Sequence, residues 1–170
     1  MRTYAGIGSR ELSEEEWELC FRVGAYLAQE GWSLRTGACS GADKAFAEGA
    51  LSRNGKVILC LPWPSYELAW VQDARARGAT SELLHYWHTD AFTSVDEHHP
   101  NPSALSDAAR KLHARNYLIL RNCRFVLAFP KTKNGRLGGT GQGLRVATSL
   151  GIEVLRLDEP FDRARVEAKL

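Results

Sequence analysis

Three glycine-rich stretches set backbone amides and small hydroxyls where a phosphate can be held. They are Gly6-Ile7-Gly8-Ser9-Arg10, Gly37-Ala38-Cys39-Ser40-Gly41-Ala42-Asp43 and Gly138-Gly139-Thr140-Gly141-Gln142-Gly143. Each follows an apolar, strand-like run, and the second and third lead into helix-like segments. A helix start offers unpaired amides and a partial charge of about +0.5, and glycine lets a ligand approach the backbone closely. Ser9, Ser40 and Thr140 add hydroxyls. One such stretch reads equally well as a tight turn, whereas three at one predicted sheet edge favour an anionic ligand. Neither G-x-x-x-x-G-K-[ST] nor a dehydrogenase-type G-x-G-x-x-G with its later acidic residue is present.

Positive charge gathers near the same stretches. Arg10, Arg35, Arg115 and Arg121 lie at or beside them, and Lys131, Lys133 and Arg136 flank the third. Arginine presents a planar fork suited to phosphate. Arg35 ends a predicted buried strand, where a lone charge is costly, so it is expected to pair with Asp43 or to meet the ligand. Arg115 reads equally as a solvated helix position. Asp43 fits either ligand recognition or a helix dipole, and Asp43 and Glu67 are the acids open to a catalytic role. Trp63 and Tyr66 follow a strand beside two prolines and are expected to supply a stacking surface; Trp70 and Trp87 fit core packing as well. His85 and His88, with His98 and His99 beyond them, lack the helical context and third ligand of a metal site, so no metal is expected.

These residues need elements to position them. Apolar runs alternate with helical periods along the 170 residues, which predicts a single α/β domain over 1–170: a Rossmann-like, open, mostly parallel sheet flanked by helices. Strands are expected at Thr3–Gly8, Trp32–Gly37, Lys56–Pro62, Arg124–Pro130 and Ile152–Leu157. Helices are expected after the Ser13-to-Glu16 capping box, over Ala42–Ser52, Tyr66–Gly78, Ser103–Cys123 with Ser103 as cap, Leu144–Gly151, and in the tail. Residues 79–102 show no clear period and are expected to form an irregular excursion.

Composition narrows the classes further. Twenty-two basic and 20 acidic residues leave a formal charge of +2, too balanced to argue by itself for nucleic acid. No run reaches the roughly 18 apolar residues of a membrane span, and no signal-peptide core opens the chain. Four scattered cysteines without a Cys-x-x-Cys pair fit reduced thiols in a cytoplasmic protein.

The ordered set "AGIGSR", "LRTGACSGADKAFAEGA", "ARNYLILRNCRFVLAFP" and "GGTGQGLRVATSLGIEVL" resembles the SLOG superfamily, which takes in DprA-like domains and LOG phosphoribohydrolases. The resemblance runs from Tyr4 to about Leu157 and leaves out residues 63–102. It implies that Gly37, Ser40, Gly41 and Asp43 match the DprA glycine segment, Arg115 and Asn116 its "RN", and Gly138 to Gly141 the phosphate loop. It also implies a homodimer. Where LOG enzymes continue to their hydrolytic glutamate, this chain reads Gln142, Gly143, Leu144 and Arg145, so the carboxylate that would stabilise an oxocarbenium-like transition state is missing. The resemblance thus implies binding of a phosphorylated nucleotide derivative, ADP-ribose-like among others, as a sensor or sequestering protein with no resident cofactor. The rival readings are a nucleotide N-glycosidase with a relocated carboxylate and a DprA-like single-stranded DNA-binding module.

Overall fold

A computed structural model describes residues 2–131 and 138–170. Its strands are β1 (Thr3–Gly8), β2 (Ser33–Thr36), β3 (Val57–Leu61), β4 (Thr80–Leu83), β5 (Phe125–Phe129) and β6 (Glu153–Arg156). They form one sheet in the order β4-β3-β2-β1-β5-β6, with every neighbouring pair parallel. The helices are α1 (Glu14–Gln29), α2 (Ala42–Leu51), α3 (Leu68–Ala76), α4 (Thr89–His98), α5 (Asp107–Leu120), α6 (Gly138–Ser149) and α7 (Pro160–Glu167). This is the predicted α/β architecture.

Alternation along the strands sorts the core into two layers. In β5, Leu127 and Phe129 face the layer built with α1, α2 and α3, while Val126 and Ala128 face the layer built with α4, α5 and α6. Helix α1 starts at the predicted capping box: Glu16 N–H donates to Ser13 Oγ at 3.3 Å, and Ser13 N–H donates to Glu16 Oε2 at 2.7 Å. Helices α1 and α2 approach closely because glycine stands where they meet. A Cβ on Gly49 would fall 1.9 Å from the Phe21 carbonyl oxygen.

Three expectations need correction. Residues 79–102 hold no irregular excursion; they supply the edge strand β4, paired to β3, and helix α4. The sequence concealed both because β4 is the short, half-polar "TSEL" and α4 buries only Ala91, Ser94 and Val95, two of them small. Helix α5 is capped by Ser106, whose Oγ accepts from Ala109 N–H at 3.2 Å; Pro102–Ala104 forms a separate 3-10 turn, so Ser103 is not the cap. Helix α6 begins at Gly138, not Leu144, so Gly138 to Gly143 form its first turns.

Gly49→Ala is expected to push α1 and α2 apart and cost about 1–3 kcal/mol, as overpacked cores do. A thermal melt followed by circular dichroism should fall by several degrees; an unchanged midpoint would show that the two helices tolerate separation.

Candidate functional site

Strand order reverses on the two sides of β1, which lies between β2 and β5. In open parallel sheets ligands bind outside the carboxyl ends of the strands at such a switch point. A cavity of about 310 Å³ opens there. Gly8, Ser9 and Arg10 enter it from the end of β1, Pro130 and Lys131 from the end of β5, and Gly138, Gly139 and Thr140 from the first turn of α6. Helix α5 contributes Ala109, Leu112, His113, Arg115 and Asn116, and Cys39 and Asp43 come from the β2-to-α2 junction.

The first and third glycine stretches therefore meet at one cavity, as their spacing suggested. Asn116 braces this end: its Nδ2 donates to the Gly139 carbonyl at 3.0 Å and to Gln142 Oε1 at 2.8 Å, which fixes the start of α6 against α5. Lys131 pairs with Glu16 at 3.0 Å on the cavity rim. Lys133 and Arg136 lie outside the described residues.

The second stretch serves the protein's own side chains. Arg115 is 4% exposed and reaches across from α5 to the end of β2. A Cβ on Gly37 would fall 1.5 Å from its Nη1, so Gly37 is glycine to admit a guanidinium. Arg115 lies 3.9 Å from Asp43 Oδ2, and that same oxygen accepts from Cys39 N–H at 3.3 Å. Burial raises the Asp43 pKa, against the pull of Arg115 and the Cys39 amide. Ala42 N–H donates to the Ser9 carbonyl at 3.0 Å, and Gly41, with φ +78°, packs against the Ser9 and Arg10 backbone. The start of α2 is thus filled from within, Ser40 is exposed, and neither Gly37, Ser40, Gly41 nor Gly141 lines the cavity.

Arg35 also differs from expectation. It pairs with Glu82 of β4, not Asp43, and its Nε donates to the Leu118 carbonyl at 3.0 Å. Glu82 also takes Arg121, so one carboxylate joins two arginines behind the sheet. Burial works to raise the Glu82 pKa, but the two guanidinium groups outweigh it and hold the value below the ordinary carboxylate range. Glu67 caps α3 and pairs with Lys44 at 2.6 Å, away from the cavity. Tyr66 stands edge-on to Trp63 at 5.3 Å and reaches Cys39 Sγ with its hydroxyl at 3.0 Å, so these rings close the cavity floor from behind and do not line it. His88 Nδ1 accepts from His85 N–H at 2.9 Å, and His85 stacks on Trp87.

Sequence reasoning missed His113 and Cys39. A signal for the first existed: Ala109, Leu112, His113 and Asn116 fall at i, i+3, i+4 and i+7 on one face of α5. His113 meets His99, just past the end of α4, edge-on at 4.7 Å, and burial, with His99, lowers its pKa.

Glu82→Gln should destabilise the chain by on the order of 2 kcal/mol at neutral pH, less than the ~3–5 kcal/mol of a fully buried pair because Glu82 is partly exposed. Its lowered pKa means this contribution is present above the unfolded value of about 4.3 and lost as pH falls through the folded one. The stability difference between the two chains in urea titrations should begin to shrink as pH falls below about 4.3 and vanish below the lowered folded value; a constant difference at every pH would refute the pairing.

Residues 3–71 match the SLOG cluster4 family. An uncharacterized protein of Archaeoglobus fulgidus is 32% identical over 92 residues, 52% of this chain and 61% of that one. DNA processing protein A (DprA) of Streptococcus pneumoniae aligns with a TM-score of 0.65 and 21% identity, over 91% of this chain and 49% of its own. The same protein of Helicobacter pylori, whose structure concerns single-stranded DNA binding, aligns with a TM-score of 0.65 and 18% identity, over 99% and 72%. The chain thus spans about three fifths of the first relative and about half of the first of these structures. Residues 3–71 are thus similar to the SLOG cluster4 family, and the chain as a whole shares the fold of the DprA structures.

Proposed function

We propose that the cavity binds a phosphorylated nucleotide or nucleotide derivative, with the phosphate at the start of α6. The observation that carries this reading is the meeting of Gly8, Ser9 and Arg10 with Gly138, Gly139 and Thr140 at the β1 switch point. Among the described residues a Cβ on Gly139 would meet nothing within 4 Å. Helix amides, two hydroxyls and the Arg10 guanidinium then supply donors. At about 310 Å³ the cavity is at the small end of ligand sites, which favours a mononucleotide over an ADP-ribose-sized ligand. A homodimer belongs to the same proposal, and light scattering tests it.

Of the two acids open to N-glycosidase chemistry, Asp43 lines the cavity and Glu67 does not. The position where LOG enzymes carry glutamate is given to structure instead: Arg145 Nε donates to the His98 carbonyl at 2.6 Å and ties α6 to α4.

A second reading, a single-stranded DNA-binding module, rests on Tyr86 and Trp87. They are 83% and 58% exposed beyond the carboxyl end of β4, on the edge of the sheet that bears the cavity. Exposed aromatics of this kind stack bases.

Thermal unfolding with nucleoside mono- and diphosphates, ADP-ribose, inorganic phosphate and a short DNA oligomer separates these readings. A nucleotide at 100 times its Kd should stabilise by about 2.7 kcal/mol and raise Tm by roughly 5–10 °C. Gly139→Val, which has room to fold, should abolish the shift. Stabilisation by DNA alone, falling steeply with salt, would favour the second reading; no shift with any of these would refute both. Free base released from a nucleoside monophosphate, and its loss in Asp43→Asn, would show hydrolysis.

A further inference from the structure

The cavity floor holds a nucleophile that phosphate binding leaves unused. Cys39 lines the cavity with 8% of its surface accessible. Its Sγ lies 3.0 Å from the Tyr66 hydroxyl oxygen and 3.5 Å from Arg115 Nη2. Arg115 itself is short of anions. Its Nη1 reaches the Cys60 carbonyl at 3.5 Å and Asp43 at 3.9 Å, and its buried Nε–H has no acceptor among the described residues. Charge-assisted hydrogen bonds are usually about 2.7–2.9 Å long, so the described partners of this guanidinium are all distant ones. A sulfur that lines a cavity and is held by a guanidinium and a phenol hydroxyl is both reachable and fixed in orientation for attack.

We propose that Cys39 is a covalent modification site, a thiol held by Arg115 and Tyr66 for reaction with a small electrophile entering the cavity, hydrogen peroxide being the class of oxidant. The Cys39 sulfur attacks one peroxide oxygen, forming an S–O bond as the O–O bond breaks. Sulfur loses two electrons and becomes a sulfenic acid, while the peroxide is reduced. The departing hydroxide takes up the thiol proton and leaves as water. Arg115 donates to the sulfur before the step and to its new oxygen afterwards, and the Tyr66 hydroxyl shares a hydrogen bond with the same group. That oxygen lies on the cavity floor, so the modified chain has a smaller and more polar cavity. The proposal rests on the floor geometry and is independent of what the cavity binds.

The remaining thiols are internal controls. Burial pushes Cys60 up to about 11, Cys123 up to about 12 and Cys20 further still. Native protein at neutral pH is treated with hydrogen peroxide in the presence of dimedone, which traps sulfenic acids, and the adducts are mapped by peptide mass spectrometry. Cys39 is expected to label roughly tenfold faster than the other three. Tyr66→Phe keeps the ring beneath Arg115 and removes the hydroxyl; it should slow labelling about threefold or more with an unchanged melting curve. Similar rates at all four cysteines, or labelling of Cys39 only in denaturant, would overturn the proposal. Equal Cys39 rates in wild-type, Tyr66→Phe and Arg115→Lys chains would overturn it as well, because the neighbours would then do nothing for the sulfur.

Discussion

A buried guanidinium organises the carboxyl edge of this protein. Arg115 leaves α5, crosses the end of β2 above Gly37 and stops beside Asp43 and Cys39 at the entrance to α2. Burying an uncompensated charge is expensive, so the groups around it are constrained in type. Gly37 has to lack a side chain, Asp43 has to carry a carboxylate, and Tyr66 packs its ring 5.8 Å from the guanidinium carbon. The bridge joins the two helical layers across the top of the sheet, and the cavity is the space left beside it.

The same edge shows how one topology divides its glycine-rich junctions between two tasks. At β1 and α6 the backbone faces open space, and Asn116 fixes the start of α6 without filling the cavity. At α2 the amides and the carboxylate are already engaged by Ser9, Cys39 and Arg115. A parallel sheet aligns all its strand ends on one edge, so one junction can border a cavity while its neighbour is packed as scaffold. Behind the sheet, Glu82 plays a comparable part for Arg35 and Arg121 and ties the edge strand β4 to the end of α5.

Much of the architecture was legible in the sequence. The strands β1, β2, β3 and β5 are runs bounded by glycine or proline, and the capping box at Ser13 announced α1. The signal failed where burial is partial or residues are small. β4 is an edge strand with one face polar, and α4 turns Ala91, Ser94 and Val95 inward, a stripe too weakly apolar to stand out. Glycines at the start of α6 read as loop because their helix propensity is poor, yet Asn116 and the packing of Gly143 against Ile7 hold them helical.

The sequence by itself determined the fold class and the placement of glycine and hydroxyl residues at strand ends. Which glycines border the cavity was decided by tertiary structure alone. A glycine is chosen for the atom that comes near it, and that atom can belong to a distant part of the chain: Arg115 and Cys39, 76 residues apart, touch above Gly37. The partner of Arg35 was likewise settled by strand order, because Glu82 reaches it only once β4 has joined the sheet beside β3. Local sequence specifies the conformations a segment can adopt, while long-range packing fixes which charge each buried group meets.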